Sequence, residues 1–339
     1  MGAAWLSCVL ALLSAAFTAA ADAPAFPPDI ARIKERGTLV VAQFQGSRPG
    51  FFIEDDTKRY PSKTPYEADG RRLVGFDVDL AQKIASELGV QLKIVRTFPD
   101  FNAACRSVTT GGADIVISKL SVTYQRCQYV AYSRPYVTLR VGLLVNRLRE
   151  SQAGRDGDPA KLCNHPSARI GIVERTSFVD FCKERFPDAQ HVTYPNQDEL
   201  FKAVRKGQVL AAFYDEFEIR KAFRLFPDMS IYCREAYLSG HEDLIAMAVN
   251  PQSQTLLSFV NMLLTREGLI TDVDYVLTHY LPGGEASAVS AAQAPGVLGV
   301  ELVTLVVLMV ALGAGWMWPA YRARRRRAAM AAGTEGGAA

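Results

Sequence analysis

The chain is 339 residues long, with 49% of positions hydrophobic, 22% charged and 10% aromatic, a balance that excludes global disorder and leaves length for about two compact units. The formal charge is +3, and Arg322, Arg324, Arg325, Arg326 and Arg327 set against Glu301 and Glu335 account for the whole surplus. The stretch from 22 to 296 is neutral, which excludes the global basic field of a nucleic-acid-binding protein.

Residues 1–21 place an apolar core, Trp5 to Leu13, before the small residues Thr18, Ala19, Ala20 and Ala21, the pattern of a secretory signal cut near Ala21 or Ala23. No Lys or Arg precedes the apolar core, so a short uncleaved anchor is the alternative. Cys8 lies too early for lipid attachment. Thr38 to Ala42 reads as a buried strand, and Asp77 opens a helix whose Leu80, Ala81, Ile84, Ala85 and Leu88 share one face. Leu92–Val95 is a predicted strand, Asn102–Thr110 a helix and Asp114–Ile117 a strand. A second set follows: strand 168–173, helix 178–186, strand 191–194, helix 197–206 and strand 210–213. Alternation of this kind predicts α/β architecture with mainly parallel sheets in two similar lobes. The polar, turn-rich stretch Glu54–Arg72 is a predicted surface insertion.

Beyond a small-residue linker at 284–296, residues 297–318 are almost wholly apolar, matching the roughly 20 residues of a membrane-spanning helix. Trp316 and Trp318 mark its end and the arginines follow, so the tail at 319–339 is predicted to be cytoplasmic. The protein is thus expected in the periplasm, anchored in the inner membrane by its C-terminal helix. Five cysteines follow the signal, an odd count; each is either a buried apolar residue or half of a disulfide, and Cys105 and Cys127, which flank the same strand, are the disulfide candidates. No Cys-x-x-Cys or His-x-x-x-His spacing occurs, so neither a metal site nor a cofactor is expected.

Five segments carry a resemblance. Ile33-x-x-Arg36-Gly37-Thr38-Leu39-Val40-Val41, Gly75-Phe76-Asp77-Val78-Asp79-Leu80-Ala81, Gly112-Ala113-Asp114-Ile115-Val116-Ile117, Ser121-Val122-Thr123-x-x-Arg126 and Tyr132-Ser133-x-Pro135-Tyr136 resemble, in order and spacing, the signatures of family 3 extracellular solute-binding proteins. The resemblance implies a two-lobed periplasmic-binding-protein type II fold with a hinge. Its first lobe would span 22–138, its second 139–244, and residues 245–283 would return to the first. Such proteins close on a small ligand, usually an amino acid.

The resemblance also assigns roles. Arg126 would grip a ligand carboxylate with help from Ser121, because a planar guanidinium matches a carboxylate. Asp215 resembles the position that takes the ligand ammonium, or else caps the helix after it. Thr176 lies in a turn that usually reads Gly-Thr-Ser/Thr, here with Arg175 in place of the glycine. Phe101 would stack on the ligand or belong to the core. Lys119 departs from the family: it adds a cation to the cleft and favours an acidic ligand, or it pairs with Asp215 or reaches solvent. The leading function is a receptor presenting an amino acid or related small carboxylate to an ABC-type permease. The alternatives are a cyclohexadienyl-dehydratase-like enzyme on the same fold and a sensing module for a signalling partner. The chain carries no Gly-x-Ser-x-Gly elbow and no length for an appended transglycosylase domain.

Overall fold

The structure, a computed structural model, describes residues 26–153 and 158–283. The expected signal segment at 1–21, the linker at 284–296, the apolar run at 297–318 and the tail at 319–339 lie outside them. Among the described residues no helix is long and apolar enough to cross a membrane.

The chain opens with α1 (Pro28–Arg36) and β1 (Thr38–Phe44). The polar stretch that follows is more than a loop: β2 (Ile53–Glu54), β3 (Tyr66–Ala68) and β4 (Arg71–Val74) form a small antiparallel sheet in the order β2-β4-β3. Asp55 holds it together, accepting the backbone N–H of Arg59 and Tyr60 at 3.0 and 2.7 Å and pairing with Arg72 at 3.2 Å. Then come α2 (Phe76–Leu88), β5 (Gln91–Phe98), α3 (Phe101–Thr109), β6 (Ile115–Val116), α4 (Tyr124–Cys127) and β7 (Ala131–Tyr132). α2 starts where it does because Gly75 has φ 128°, and a Cβ there would lie 2.3 Å from the Phe51 carbonyl oxygen, an approach only glycine permits. Asp100 caps α3 by accepting the Ala103 N–H at 2.7 Å.

β8 (Val137–Asn146) carries the chain into a second lobe built from α5 (Arg147–Gln152), α6 (Pro159–Cys163), β9 (Arg169–Val173), α7 (Phe178–Arg185), β10 (Gln190–Tyr194), α8 (Gln197–Arg205), β11 (Ala211–Asp215), α9 (Glu216–Leu225) and α10 (Met229–Tyr232). β12 (Cys233–Ile245) leads back to β13 (Ala248–Val249), α11 (Gln254–Arg266) and α12 (Val273–Tyr280). The first sheet has the order β5-β1-β6-β13-β7 and the second β10-β9-β11-β8-β12. In the first, β1 runs parallel to β5 and β6, and β13 inserts antiparallel between β6 and β7.

β8 and β12 join the lobes as an antiparallel pair, from Val137 opposite Ile245 to Asn146 opposite Cys233. Val137, Leu139 and Ile245 pack in the first core, while Val141, Leu143 and Leu238 pack in the second. The same two strands therefore anchor in both cores and form the hinge between them. Several contacts clasp the lobes away from it. Phe217, on α9, is fully buried within the first lobe's core, edge-on to Phe51 at 4.9 Å. Arg224 donates to the Leu277 carbonyl at 2.7 Å, and Arg220 pairs with Asp274. Gly50 gives Phe217 its room: it has φ 99°, and a Cβ there would lie 2.4 Å from the Phe217 ring.

The candidate Cys105–Cys127 disulfide is not formed, and all five described cysteines are free. Cys105 faces inward from α3 into a small core with Ala104 and Val108, whereas Cys127 is exposed at the end of α4. A bridge would need the two thiols on one side of that layer.

Phe217→Ala should lower the unfolding free energy by about 3 to 5 kcal/mol, the usual loss for a fully buried phenylalanine. Urea denaturation measures it, and a loss below about 1 kcal/mol would mean the ring is not packed between the lobes.

Candidate functional site

The segment after β1, α3 and the segment after β6 from the first lobe meet the start of α7 and the end of β11 from the second, with β12 between them. The void they leave is about 20 Å³, room for about one water. Phe101, Lys119, Ser121, Arg126 and Thr176, all expected at a ligand site, line it together. So do Ser177, the last residue of the Thr176 turn, and Arg48, Phe178, Tyr214 and Asp243, none of which was assigned to the site from sequence.

Arg126 sits on the short α4, buried, where Thr123 caps the helix start with its side chain. Its Nε donates to Asn102 Oδ1 at 2.8 Å and its Nη1 to the Ser121 carbonyl at 3.0 Å. A guanidinium has five N–H donors, so donors remain for a ligand carboxylate. Phe101 answers both of its expectations at once. It belongs to the core beside Ala104 and Val108 and stacks on Phe44 at 4.9 Å, yet it faces the void, with the Arg48 and Arg126 guanidiniums 5.6 and 5.8 Å from its ring.

Lys119 does not reach solvent. It is 7% exposed and takes a left-handed φ of 44°, and its backbone N–H donates to Asp77 Oδ2 at 2.6 Å. That bend turns the side chain across to the second lobe, where Nζ meets Asp215 Oδ2 at 2.6 Å and Glu218 Oε1 at 3.2 Å. Phe51, Tyr214 and Phe217 surround the ammonium, with ring centroids 5.4 to 5.7 Å away. Burial works against the Lys119 charge, but the Asp215 and Glu218 carboxylates outweigh it and hold its pKa above the ordinary lysine value. Glu218 is held down to about 2 against its own burial, chiefly by Lys221 and Lys119. Asp215 also caps α9, accepting the Glu218 N–H at 3.0 Å. Its expected ammonium is thus supplied from within the chain, by Lys119.

The hydroxyls converge on a different acid. Ser177 Oγ donates to Ser121 Oγ at 3.0 Å, and Ser121 Oγ donates to Asp243 Oδ2 at 3.0 Å. Thr176 spends its own hydroxyl on the Val173 carbonyl at 2.8 Å, which closes the turn after β9. Arg175 adopts φ 59° there, the left-handed conformation a glycine would take freely, at a cost of roughly 1 to 2 kcal/mol. Asp243 is 1% exposed, and its Oδ1 has no hydrogen-bond partner among the described residues. Burial, reinforced by the Asp215 charge, raises its carboxyl to about 7, with Lys119, Ser121 and Arg126 opposing. Asp77, buried beneath Lys119, is raised to about 7 as well, chiefly by burial.

Two lobes of α/β structure on a paired-strand hinge, closing on a site lined by arginine, hydroxyl and aromatic side chains, define a two-lobed solute-binding protein. The model of the bacterial extracellular solute-binding proteins, family 3, matches residues 56–268, and the chain belongs to that family. It is 24% identical over 228 residues to the L-cystine-binding protein TcyJ of Escherichia coli K12, covering 65% of this chain and 77% of that one. It is 26% identical over 167 residues to the histidine-binding periplasmic protein of the same organism, covering 48% and 61%. Among solved structures it resembles an amino acid ABC transporter substrate-binding protein from Streptococcus pneumoniae Canada MDR_19A bound to L-arginine. That match has 25% identity and a TM-score of 0.54, covering 72% of this chain and 95% of that one.

Asp77 and Asp243 make stability depend on pH. Their folded-state values lie above the unfolded carboxylate value of 3.8, so the folded protein binds more protons between about pH 4 and 7. Stability must fall as pH rises through that window and level off above it. Asp243→Asn should remove about 2 to 3 kcal/mol of the decline between about pH 5 and 8, at one pKa unit per 1.36 kcal/mol. Urea midpoints at about pH 5 and 8 check it, and an unchanged difference in the variant would refute the buried-acid assignment.

Proposed function

We propose that the protein is a membrane-tethered receptor that captures an amino acid or related small carboxylate between its lobes and presents it to an ABC-type permease. The observation that carries this reading is the buried Arg126 guanidinium on the wall of the interlobe void, with the Ser121 and Ser177 hydroxyls beside it. The relatives support it, since the ligands that their names give, cystine, histidine and arginine, all carry an α-carboxylate. Anchoring rests on the apolar run at 297–318 and the arginines after it, which set the lobes in the periplasm and the tail in the cytoplasm. The void of about 20 Å³ holds about one water, so an amino acid enters only when β8 and β12 flex and the lobes part, and with it bound they stand further apart than they do here.

Arg126→Ala removes the partner of a buried carboxylate, which costs about 3 to 5 kcal/mol, or a loss of affinity from about a hundredfold to several thousandfold. A thermal-shift screen of the purified protein against amino acids, dicarboxylates and prephenate identifies the ligand. Saturation a hundredfold above Kd adds roughly 2.7 kcal/mol of stability. Calorimetry on the variant then measures the loss. Unchanged affinity in a folded Arg126→Ala protein would remove the site, and turnover of prephenate would replace the receptor reading with the dehydratase one.

A further inference from the structure

A ligand cation needs a carboxylate that is not already committed. Asp215 is committed twice, its Oδ2 to Lys119 Nζ at 2.6 Å and its Oδ1 to the Glu218 N–H at 3.0 Å, and it is fully buried. Glu218 is shared between Lys119 at 3.2 Å and Lys221. Asp243 is the exception. One oxygen accepts from Ser121, and the other, buried on the wall of the void, has no hydrogen-bond partner among the described residues. A buried carboxylate oxygen left unpaired is costly, so it marks a place where a partner is missing.

Asp243 and Arg126 also meet at one residue. Asp243 holds the Ser121 hydroxyl at 3.0 Å and Arg126 holds the Ser121 carbonyl at 3.0 Å, and both side chains line the same void. An acceptor of cations and a donor to anions therefore flank Ser121, matching the two charges that an α-amino acid carries on adjacent groups. We propose that Asp243, not Asp215, receives the α-ammonium of the ligand, and that Lys119 is the permanent internal occupant of Asp215. This rests on the receptor reading above and names which acid serves it.

The groups that face the Asp243 carboxyl are Ser121, Lys119, Arg126, Asp215 and Tyr136, with Arg48 on the same void. With its carboxyl at about 7, Asp243 is partly protonated near neutrality. An ammonium arriving beside it favours the ionised form, and the displaced proton leaves to buffer.

The test is calorimetry at about pH 6.5 in two buffers of different ionisation enthalpy, which reads proton release by linkage. The probes are the standard L-amino acids and L-cystine, then the tightest binder's counterpart with hydroxyl in place of ammonium. Wild type should prefer the amino acid by more than about tenfold and release a fraction of a proton on binding it. Asp243→Asn should lose both the preference and the proton release, while Asp215→Asn keeps the preference even if it is less stable. Retained preference in Asp243→Asn, or loss of preference in Asp215→Asn alone, would overturn the assignment. If the hydroxy acid binds wild type better and still depends on Arg126, the receptor stands and this inference falls. If no probe binds wild type at millimolar concentration, both fall.

Discussion

The Lys119 ammonium, sealed between Asp215 and Glu218 at 2.6 and 3.2 Å, is the interaction on which the arrangement of the lobes depends. It crosses from the first lobe to the second, and both carboxylates stand at the start of α9. Taking such charges out of water costs several kcal/mol each, which mutual attraction offsets only when the geometry is good and the remaining donors are satisfied. Here Lys221 completes Glu218, the α9 N-terminus completes Asp215, and three aromatic rings exclude water around the ammonium. Lys119 holds its left-handed φ through the Asp77 carboxylate under its N–H. The bend that aims the lysine is therefore tied to the helix α2 behind it.

The apolar clasp reinforces the charged one. Phe217 lies between Glu216 and Glu218, one residue from the acid that holds Lys119, and it plugs into the first core against Phe51. Charge and packing thus act through the same turn of α9, and the paired strands β8 and β12 need supply only the pivot. The two lobes close on Arg126, Ser121 and Asp243, groups left over once Asp215 and Glu218 are neutralised from within. Closure and the void are thus built from separate groups: the lysine cluster joins the lobes, and Arg126, Ser121 and Asp243 line the void.

Much of this was legible in the sequence. Alternating apolar runs marked β1, α2, β5, α3, β9, α7, β10, α8 and β11 because a helix face and a buried strand leave different periods. Arg126 and Ser121 were legible through the resemblance of Ser121-Val122-Thr123-x-x-Arg126 to a family signature, and both line the void. Asp243 was not. It is one acid in a hinge strand with no motif, and only the three-dimensional meeting of β12 with Ser121 gives it a role. Lys119 was legible as a departure, and its pairing with Asp215, 96 positions away, was one of the alternatives its sequence position left open. The sheet at Ile53–Val74 escaped notice because strands this short carry no periodicity. The cysteines misled because flanking one strand in sequence does not fix the side to which a thiol points.

The most direct measurement is a double-mutant cycle on Lys119→Met and Asp215→Asn, read as unfolding free energies of the two single variants and the double variant. A sealed interlobe pair should leave each single variant with an unmatched buried group, so the cycle should return a coupling in the upper part of the usual range, about 2 to 3 kcal/mol. A coupling within about 0.5 kcal/mol of zero would contradict the account, because it would mean that Lys119 and Asp215 do not depend on each other and that the lobes close by some other contact.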